Sequence, residues 1–167
     1  MAIGGKVEKY SIGEVIEQAI QTEQLGYNFY SMMADRFKAN LDLKKLFDTL
    51  SQKEIQHKAV FEALKKTIPT SISDPEGWED VTLYLRAIVE SEFFLGKHKS
   101  LPLMQHIKTI SDAVRFAIGF EKETLLYFLA VRHIVDQKEM VDQIIDEERS
   151  HIRWLITFKI RLEAQSA

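Results

Sequence analysis

The chain has no cysteine among its 167 residues and contains few of the residues that break helices. Disulfide bonds, iron–sulfur clusters, thiolate zinc sites and cysteine nucleophiles are therefore excluded. Only three prolines and seven glycines occur, which leaves long stretches free to form helices. The longest clearly apolar run, LLYFLAV at 125–131, is far too short to cross a bilayer.

Charge does not indicate a partner either. Lys and Arg number 22 and Asp and Glu number 25, which gives a formal net charge of −3. Short basic clusters such as KHK at 97–99 lack the broad stripe that nucleic-acid binding requires. The first thirteen residues contain no apolar segment of the kind that secretion requires. We therefore expect a cytoplasmic protein with neither a nucleic-acid nor a membrane partner.

Apolar periodicity and capping signals predict an all-α fold in one domain, residues 1–167. The sequence S-I-G-E from Ser11 is typical of a capping box at a helix start. The four main helices are predicted at about 11–37, 43–66, 111–135 and 138–162. Residues 67–110 are predicted to form a crossover with an extra helix, so that two helix hairpins build a four-helix bundle.

The break between the last two bundle helices, DQK at 136–138, contains neither glycine nor proline. If residues 111–162 instead formed one unbroken helix, Glu121 and Glu148 would lie about 40 Å apart within a chain. A second subunit would then have to complete each site, which keeps an exchange of hairpins between chains open.

Two Glu-x-x-His motifs interrupt the apolar stripes of the predicted second and fourth helices. Glu54 and His57 fill gaps in one stripe, and Glu148 and His151 fill the same gaps in the other. A single motif of this kind is weak evidence for a metal site, because the spacing is short and common. Two copies, both in phase with the core, favour a shared function.

The first and third predicted helices each turn one glutamate, Glu23 and Glu121, toward the core. Within each hairpin these residues lie level with Glu54 and Glu148 if the helices are antiparallel. Four carboxylates in a dry core would be strongly unfavourable as bare charges. Two divalent cations would neutralise them, and such oxygen-rich ligands with imidazole suit iron or manganese, with zinc as an adventitious substitute.

A glutamate from each of two helices and a Glu-x-x-His motif from each of the others is the ligand pattern of ferritin-like dimetal proteins. The predicted metal ligands are Glu23, Glu54, His57, Glu121, Glu148 and His151. Tyr30 lies on the same face as Glu23, and for it we favour core packing over a hydrogen bond to a ligand. We expect His98, His106 and His133 to be surface or capping residues.

The segments AIQTEQLGYNFY (19–30), AIGFEKETLLYF (117–128), EIQH and ERSH resemble the rubrerythrin family of the ferritin-like di-iron superfamily. The resemblance covers about residues 11–66 and 110–162 and implies a ferritin-like four-helix bundle. It implies that Glu23 and Glu121 are terminal ligands, that Glu54 and Glu148 bridge the metals, and that His57 and His151 each bind one metal. It also implies a homodimer, for which the apolar residues Phe93 and Phe94 of the crossover offer a surface.

Members of this family use two iron ions to reduce hydrogen peroxide or react with dioxygen, and relatives oxidise and store ferrous iron. The chain departs from the family in lacking a cysteine-rich rubredoxin domain, so a peroxidase would need a separate electron-donor protein. It also has Thr124 where rubrerythrins carry an additional glutamate. The resemblance leaves open a peroxidase or oxidase, a ferroxidase, a manganese catalase-like site and a non-catalytic metal-binding module.

Overall fold

The computed structural model describes residues 11–68, 78–89 and 106–166. Within these ranges the chain forms five helices and no strand. The helices are α1 (Ile12–Arg36), α2 (Leu41–Thr67), α3 (Trp78–Val89), α4 (Ile110–Ile134) and α5 (Lys138–Ser166). The prediction of an all-α fold is confirmed.

The helix starts are determined by local capping. In α1, the Ser11 hydroxyl accepts a hydrogen bond from the backbone N–H of Glu14 at 3.2 Å, and the Glu14 carboxylate accepts one from the backbone N–H of Ser11 at 2.7 Å. Thr109 and Asp112 form the same reciprocal pair at the start of α4. Asn40 caps α2, so this helix begins two residues earlier than predicted. Each such cap typically contributes about 1 kcal/mol.

The chain itself completes both hairpins. α1 packs against α2, and α4 packs against α5. Between α4 and α5, Val135 is extended, with φ −106° and ψ 149°, and this residue breaks the helix where the sequence offers neither glycine nor proline. The alternative of one unbroken helix over residues 111–162 is therefore wrong, and a single chain supplies all four bundle helices.

The two hairpins meet through contacts of α1 with α4 and of α2 with α5, and α3 packs on α4. Trp78, Leu85 and Ile88 of α3 are buried. The predicted dimer residues Phe93 and Phe94 and the predicted surface residue His98 lie outside the described residues. Among the described helices, none is both long and apolar enough to span a membrane.

The apolar core consists of two clusters with a polar layer between them. One cluster contains Ile16, Phe61, Phe128 and Ile144, and the other contains Phe29, Phe47, Phe120 and Leu155. Each bundle helix passes from one cluster to the other at the position of its inward-facing glutamate. The fold thus buries a short polar layer between two dry layers.

Candidate metal centre

The polar layer contains all six residues that the sequence analysis singled out. Five of them have no solvent-exposed surface, and His57 is 2% exposed. The structure arranges them in two groups, and within each group the possible ligand atoms all lie within 4.8 Å of one another. The first group is Glu23, Glu54, His57 and Glu148, and the second is Glu54, Glu121, Glu148 and His151. Glu54 and Glu148 are common to both groups, which is the arrangement that two neighbouring ions bridged by two carboxylates require.

Both imidazoles direct Nδ1 toward these carboxylates. Nδ1 of His57 lies 2.9 Å from Oε1 of Glu148 and 3.7 Å from Oε2 of Glu23. Nδ1 of His151 lies 3.4 Å from Oε2 of Glu121 and 3.5 Å from Oε2 of Glu148. Each histidine therefore belongs to only one of these two groups, and the two rings stack with their centroids 5.4 Å apart.

Most of the polar atoms in this layer lack a hydrogen bond of acceptable geometry with any part of the described chain. The oxygen atoms concerned are the two carboxylate oxygens of each of Glu23, Glu54 and Glu148, and Oε2 of Glu121. The nitrogen atoms are Nδ1 of His57 and the two ring nitrogens of His151. Buried polar atoms are ordinarily paired, because leaving one unpaired costs about 1–3 kcal/mol. A convergent set of unpaired carboxylate oxygens and imidazole nitrogens fits a pair of divalent cations.

The electrostatics of the protein without metal support this interpretation. Burial, together with the charge of Glu148, raises the pKa of Glu121 to about 8. Burial and the charges of Glu23 and Glu121 raise the pKa of Glu54 well above its usual range. Without a cation, burial therefore favours the protonated form of these two carboxyl groups, because water cannot solvate their charge.

The histidines respond in the opposite sense to burial. Burial alone favours a neutral ring, but the charge of Glu23 and contact with Glu148 raise the pKa of His57 to about 11. The charges of Glu121 and Glu148 likewise outweigh burial and raise the pKa of His151 to about 10. In the metal-free chain, positively charged imidazoles therefore compensate part of the carboxylate charge that bound metal ions would otherwise neutralise.

Two further residues at the centre have functions that the sequence analysis missed or underrated. Gly26 on α1 faces Glu54, and a Cβ at this position would overlap Oε2 of that carboxylate. A glycine inside a helix is the signal that could have indicated this close approach.

Tyr30 is fully buried, and its hydroxyl donates a hydrogen bond to Oε1 of Glu121. The preference for core packing over a hydrogen bond is therefore corrected, because Tyr30 does both.

Three residues on the outer side of the layer also contact it. Oε2 of Glu147 lies 3.3 Å from Nε2 of His57, and Nζ of Lys53 lies 2.9 Å from the same oxygen. The ring of Trp154 packs against His151 with centroids 5.5 Å apart. Glu147 reaches His57 and Lys53 through the packing of α2 against α5, which no pattern within one helix identifies, whereas Trp154 lies one turn after His151 on α5.

Thr124, which replaces the additional glutamate of the rubrerythrin pattern, is fully buried one turn after Glu121. Its hydroxyl has no hydrogen-bond partner within the described ranges. His106 and His133 are exposed, as predicted for residues outside the centre.

A family model described as Rubrerythrin matches residues 14–94, just under half of the chain. The predicted resemblance to rubrerythrins is confirmed. The rubrerythrin match includes Glu23, Glu54 and His57, whereas Glu121, Glu148 and His151 lie beyond it. No curated protein shows significant sequence similarity to this chain.

A solved structure supports the ferritin-like fold over nearly the whole chain. It is the crystal structure of a protein from Thermotoga maritima that is described as a ferritin-like diiron-carboxylate protein. The two chains are 20% identical and superpose with a TM-score of 0.68 over 91% of this chain and 96% of the other. At that identity the similarity establishes the bundle fold, and the ligand geometry has to be argued from the residues themselves.

Proposed function

We propose that this protein is a non-haem di-iron oxidoreductase of the rubrerythrin type that reduces hydrogen peroxide or dioxygen with electrons from a separate donor protein. The observation that carries the proposal is the pair of buried ligand groups that share Glu54 and Glu148. The rubrerythrin match to α1 and α2 supports iron as the metal, and the oxygen-rich ligands with imidazole suit iron and manganese better than copper.

In this proposal Glu23 and His57 would hold one ion, Glu121 and His151 would hold the other, and Glu54 and Glu148 would contribute to both. A pair of ferrous ions can supply two electrons, so that hydrogen peroxide, two electrons and two protons give two molecules of water. The residues of the chain hold the pair in place, neutralise its charge and exclude bulk water, because apolar clusters cover both sides of the layer.

Tyr30 fixes one of these ligands. Burial, followed by the charge of Glu121, raises the pKa of the Tyr30 hydroxyl well above its usual value. The hydroxyl therefore remains protonated and keeps donating its hydrogen bond to Oε1 of Glu121. The other oxygen of that carboxylate, Oε2, lies toward His151 and remains available for a metal.

We propose that the electrons come from a separate donor protein, because a chain without cysteine cannot itself form a rubredoxin site. We also propose a homodimer, on the basis of the rubrerythrin resemblance, and a cytoplasmic location, as the sequence analysis expects. Light scattering coupled to size-exclusion chromatography would give twice the chain mass for a dimer, and a monomer at all concentrations would reject this part of the proposal.

Thr124 favours ferroxidase activity as the second candidate. The chain lacks the carboxylate that rubrerythrins place at this position, and the hydroxyl of Thr124 cannot replace a carboxylate as an anionic ligand. An enzyme that oxidises ferrous iron with dioxygen would use the same six residues without it. A binding module without turnover would also keep the six residues.

Stopped-flow mixing of the ferrous-loaded protein with peroxide or with dioxygen tests these candidates. Faster oxidation by peroxide supports the peroxidase, whereas faster oxidation by dioxygen with release of ferric iron supports the ferroxidase. Tight metal uptake without turnover by any reductant supports the binding module. Elemental analysis of protein purified without added metal separates iron from manganese and zinc.

Two variants test whether the six residues form the site at all. Glu54→Ala and His151→Ala should each lower the amount of bound metal, because each removes a ligand from the centre. Glu62→Ala is the matched control, since Glu62 lies on the same helix as Glu54 but its side chain is 50% exposed and pairs with Lys58. Unchanged metal content in both ligand variants would reject the proposed centre.

A further inference from the structure

Glu147 immediately precedes Glu148 on α5, and its side chain approaches the outer edge of the His57 ring. Oε2 of Glu147 lies 3.3 Å from Nε2 of His57. The other nitrogen of this ring, Nδ1, lies 2.9 Å from Oε1 of Glu148 at the centre. The side chain of Glu147 is 42% exposed, so it connects a buried candidate ligand to the surface of the bundle.

An imidazole binds a metal through the lone pair of one nitrogen, and its proton then resides on the other nitrogen. A carboxylate that accepts a hydrogen bond from this second nitrogen fixes both the tautomer and the orientation of the ring. Glu147 stands in that position relative to His57. It would keep the proton on Nε2 and leave the lone pair of Nδ1 directed at the metal.

Lys53 holds Glu147 in this position. Nζ of Lys53 lies 2.9 Å from Oε2 of Glu147, the same oxygen that faces His57. Lys53 precedes Glu54 on α2 as Glu147 precedes Glu148 on α5, so the two motifs read K-E-I-Q-H and E-E-R-S-H. The residue before the motif is thus acidic in one copy and basic in the other.

This difference leaves the second histidine without equivalent support. The position that could supply an acceptor for His151 is occupied by Lys53, which has no acceptor atom in its side chain. Nε2 of His151 has no hydrogen-bond partner in the described parts of the chain, and the ring packs against Trp154 instead. The two proposed metal positions have equivalent ligands but differ in the hydrogen bonding of their histidines: Nε2 of His57 faces a carboxylate, and Nε2 of His151 does not.

We propose that Glu147, held by Lys53, is a positioning residue for His57 and makes the metal position at His57 bind more tightly than the position at His151. This inference rests on the proposed metal centre and goes beyond it, because the ligand set alone predicts two similar positions. It assigns the order in which the two positions fill.

A third metal ion is the main alternative reading of the same geometry. An oxygen of Glu147 and one ring nitrogen each from His57 and His151 lie within 4.8 Å of one another. The ammonium group of Lys53 lies against this carboxylate and would repel a cation bound there. Glu147 is therefore assigned as a hydrogen-bond acceptor and not as a ligand.

Titration of the metal-free full-length protein with Co²⁺, followed by the visible absorption of the bound ion, tests the inference. The wild-type protein should bind two ions per chain in two distinguishable steps. Glu147→Ala should weaken the tighter step by about 10- to 100-fold, the usual effect of removing such a partner. Glu147→Gln should retain most of the affinity, because its amide oxygen can still accept a hydrogen bond from Nε2.

Asp146→Asn is the matched control for the change of charge. Asp146 is adjacent to Glu147, but its side chain is 74% exposed and pairs with Arg149, so its titration should match that of the wild-type protein. In Zn²⁺-loaded protein labelled with ¹⁵N-histidine, the spectrum should place the His57 proton on Nε2. Glu147→Ala should weaken this preference, and circular dichroism checks that the variant is folded.

Each other outcome has a defined meaning. Equal affinity of the two wild-type steps, or an unchanged titration of Glu147→Ala, would overturn the inference while leaving the proposed centre intact. Three ions in the wild-type protein and two in Glu147→Ala would also overturn it, by making Glu147 a ligand. If the wild-type protein failed to bind a pair of ions, the proposed function itself would be rejected, and the inference with it.

Discussion

Gly26 on α1 provides the space that the carboxylate of Glu54 on α2 occupies. A Cβ at position 26 would overlap Oε2 of Glu54 and would lie 2.9 Å from Cε1 of Phe120. The approach of these two helices at the candidate centre therefore depends on a residue without a side chain.

Gly26→Ala should consequently weaken metal binding by about 10-fold or more, since one of the shared carboxylates must move. Helix propensity alone predicts that Gly26→Ala stabilises the protein by about 1 kcal/mol. A loss of stability in this variant would therefore show the steric conflict between the new Cβ and the carboxylate of Glu54. Gly13→Ala is the control, because among the described atoms a Cβ there would meet only Oγ of Ser11, at 3.9 Å. Co²⁺ titration and urea unfolding measure both effects, and equal behaviour of the two variants would contradict the prediction.

Tyr30→Phe and Tyr127→Phe form a second matched pair. Both hydroxyls are buried donors, one to Glu121 and the other, at 2.9 Å, to the backbone carbonyl of Val15. Each substitution removes a buried hydrogen bond and should lower stability by about 0.5–1.5 kcal/mol. Only Tyr30→Phe should also lower metal affinity, because only its partner is a candidate ligand. Equal metal affinity in the two variants would contradict the prediction that the hydrogen bond of Tyr30 supports metal binding.

The metal-free protein should become less stable as pH rises. The pKa of Glu121 is raised to about 8 by burial and the charge of Glu148, so the folded chain holds this proton more tightly than the unfolded chain does. Its contribution to stability is present below pH about 4.5 and is lost as pH rises through about 8. The raised pKa values of His57 and His151 act in the same direction above pH about 6.5.

Unfolding of the chelator-treated protein should therefore require less denaturant at pH 8.5 than at pH 5.5, by about 2 kcal/mol or more. Bound divalent ions should reduce this dependence, because they replace the protons at the same atoms. Urea titrations at the two pH values, with and without Zn²⁺, measure the difference. Increasing stability with pH in the metal-free protein would contradict the electrostatic account of the layer.

Trp154 should report metal binding through its fluorescence. Its ring lies 5.5 Å from that of His151 and is the more exposed of the two tryptophans, at 38% against 2% for Trp78. A paramagnetic ion bound by His151 should quench its emission strongly. Trp154→Phe should remove most of the quenching by Co²⁺ while leaving the number of bound ions unchanged, and persistent quenching would place the ion closer to Trp78.

Much of the fold follows from periodicity that is local to each helix. The stripes in α2 and α5 predicted that Glu54, His57, Glu148 and His151 face inward, because side chains three and four residues apart share one face of a helix. The capping box at Ser11 could also be predicted from the sequence, since both of its hydrogen bonds join residues within four positions of each other. α2 begins two residues earlier than predicted because Asn40 caps the helix.

The sequence by itself determined which side chains face the core and that four buried carboxylates need compensating charge, because these follow from helix geometry and from the cost of burying charge. Only the tertiary structure decided that one chain completes the layer, since the extended residue Val135 closes the second hairpin. It also decided that Glu54 lies against Gly26, Tyr30 against Glu121 and Glu147 against His57. Those pairs join different helices, and their contacts depend on the relative height and rotation of the packed helices, which no single-helix pattern specifies.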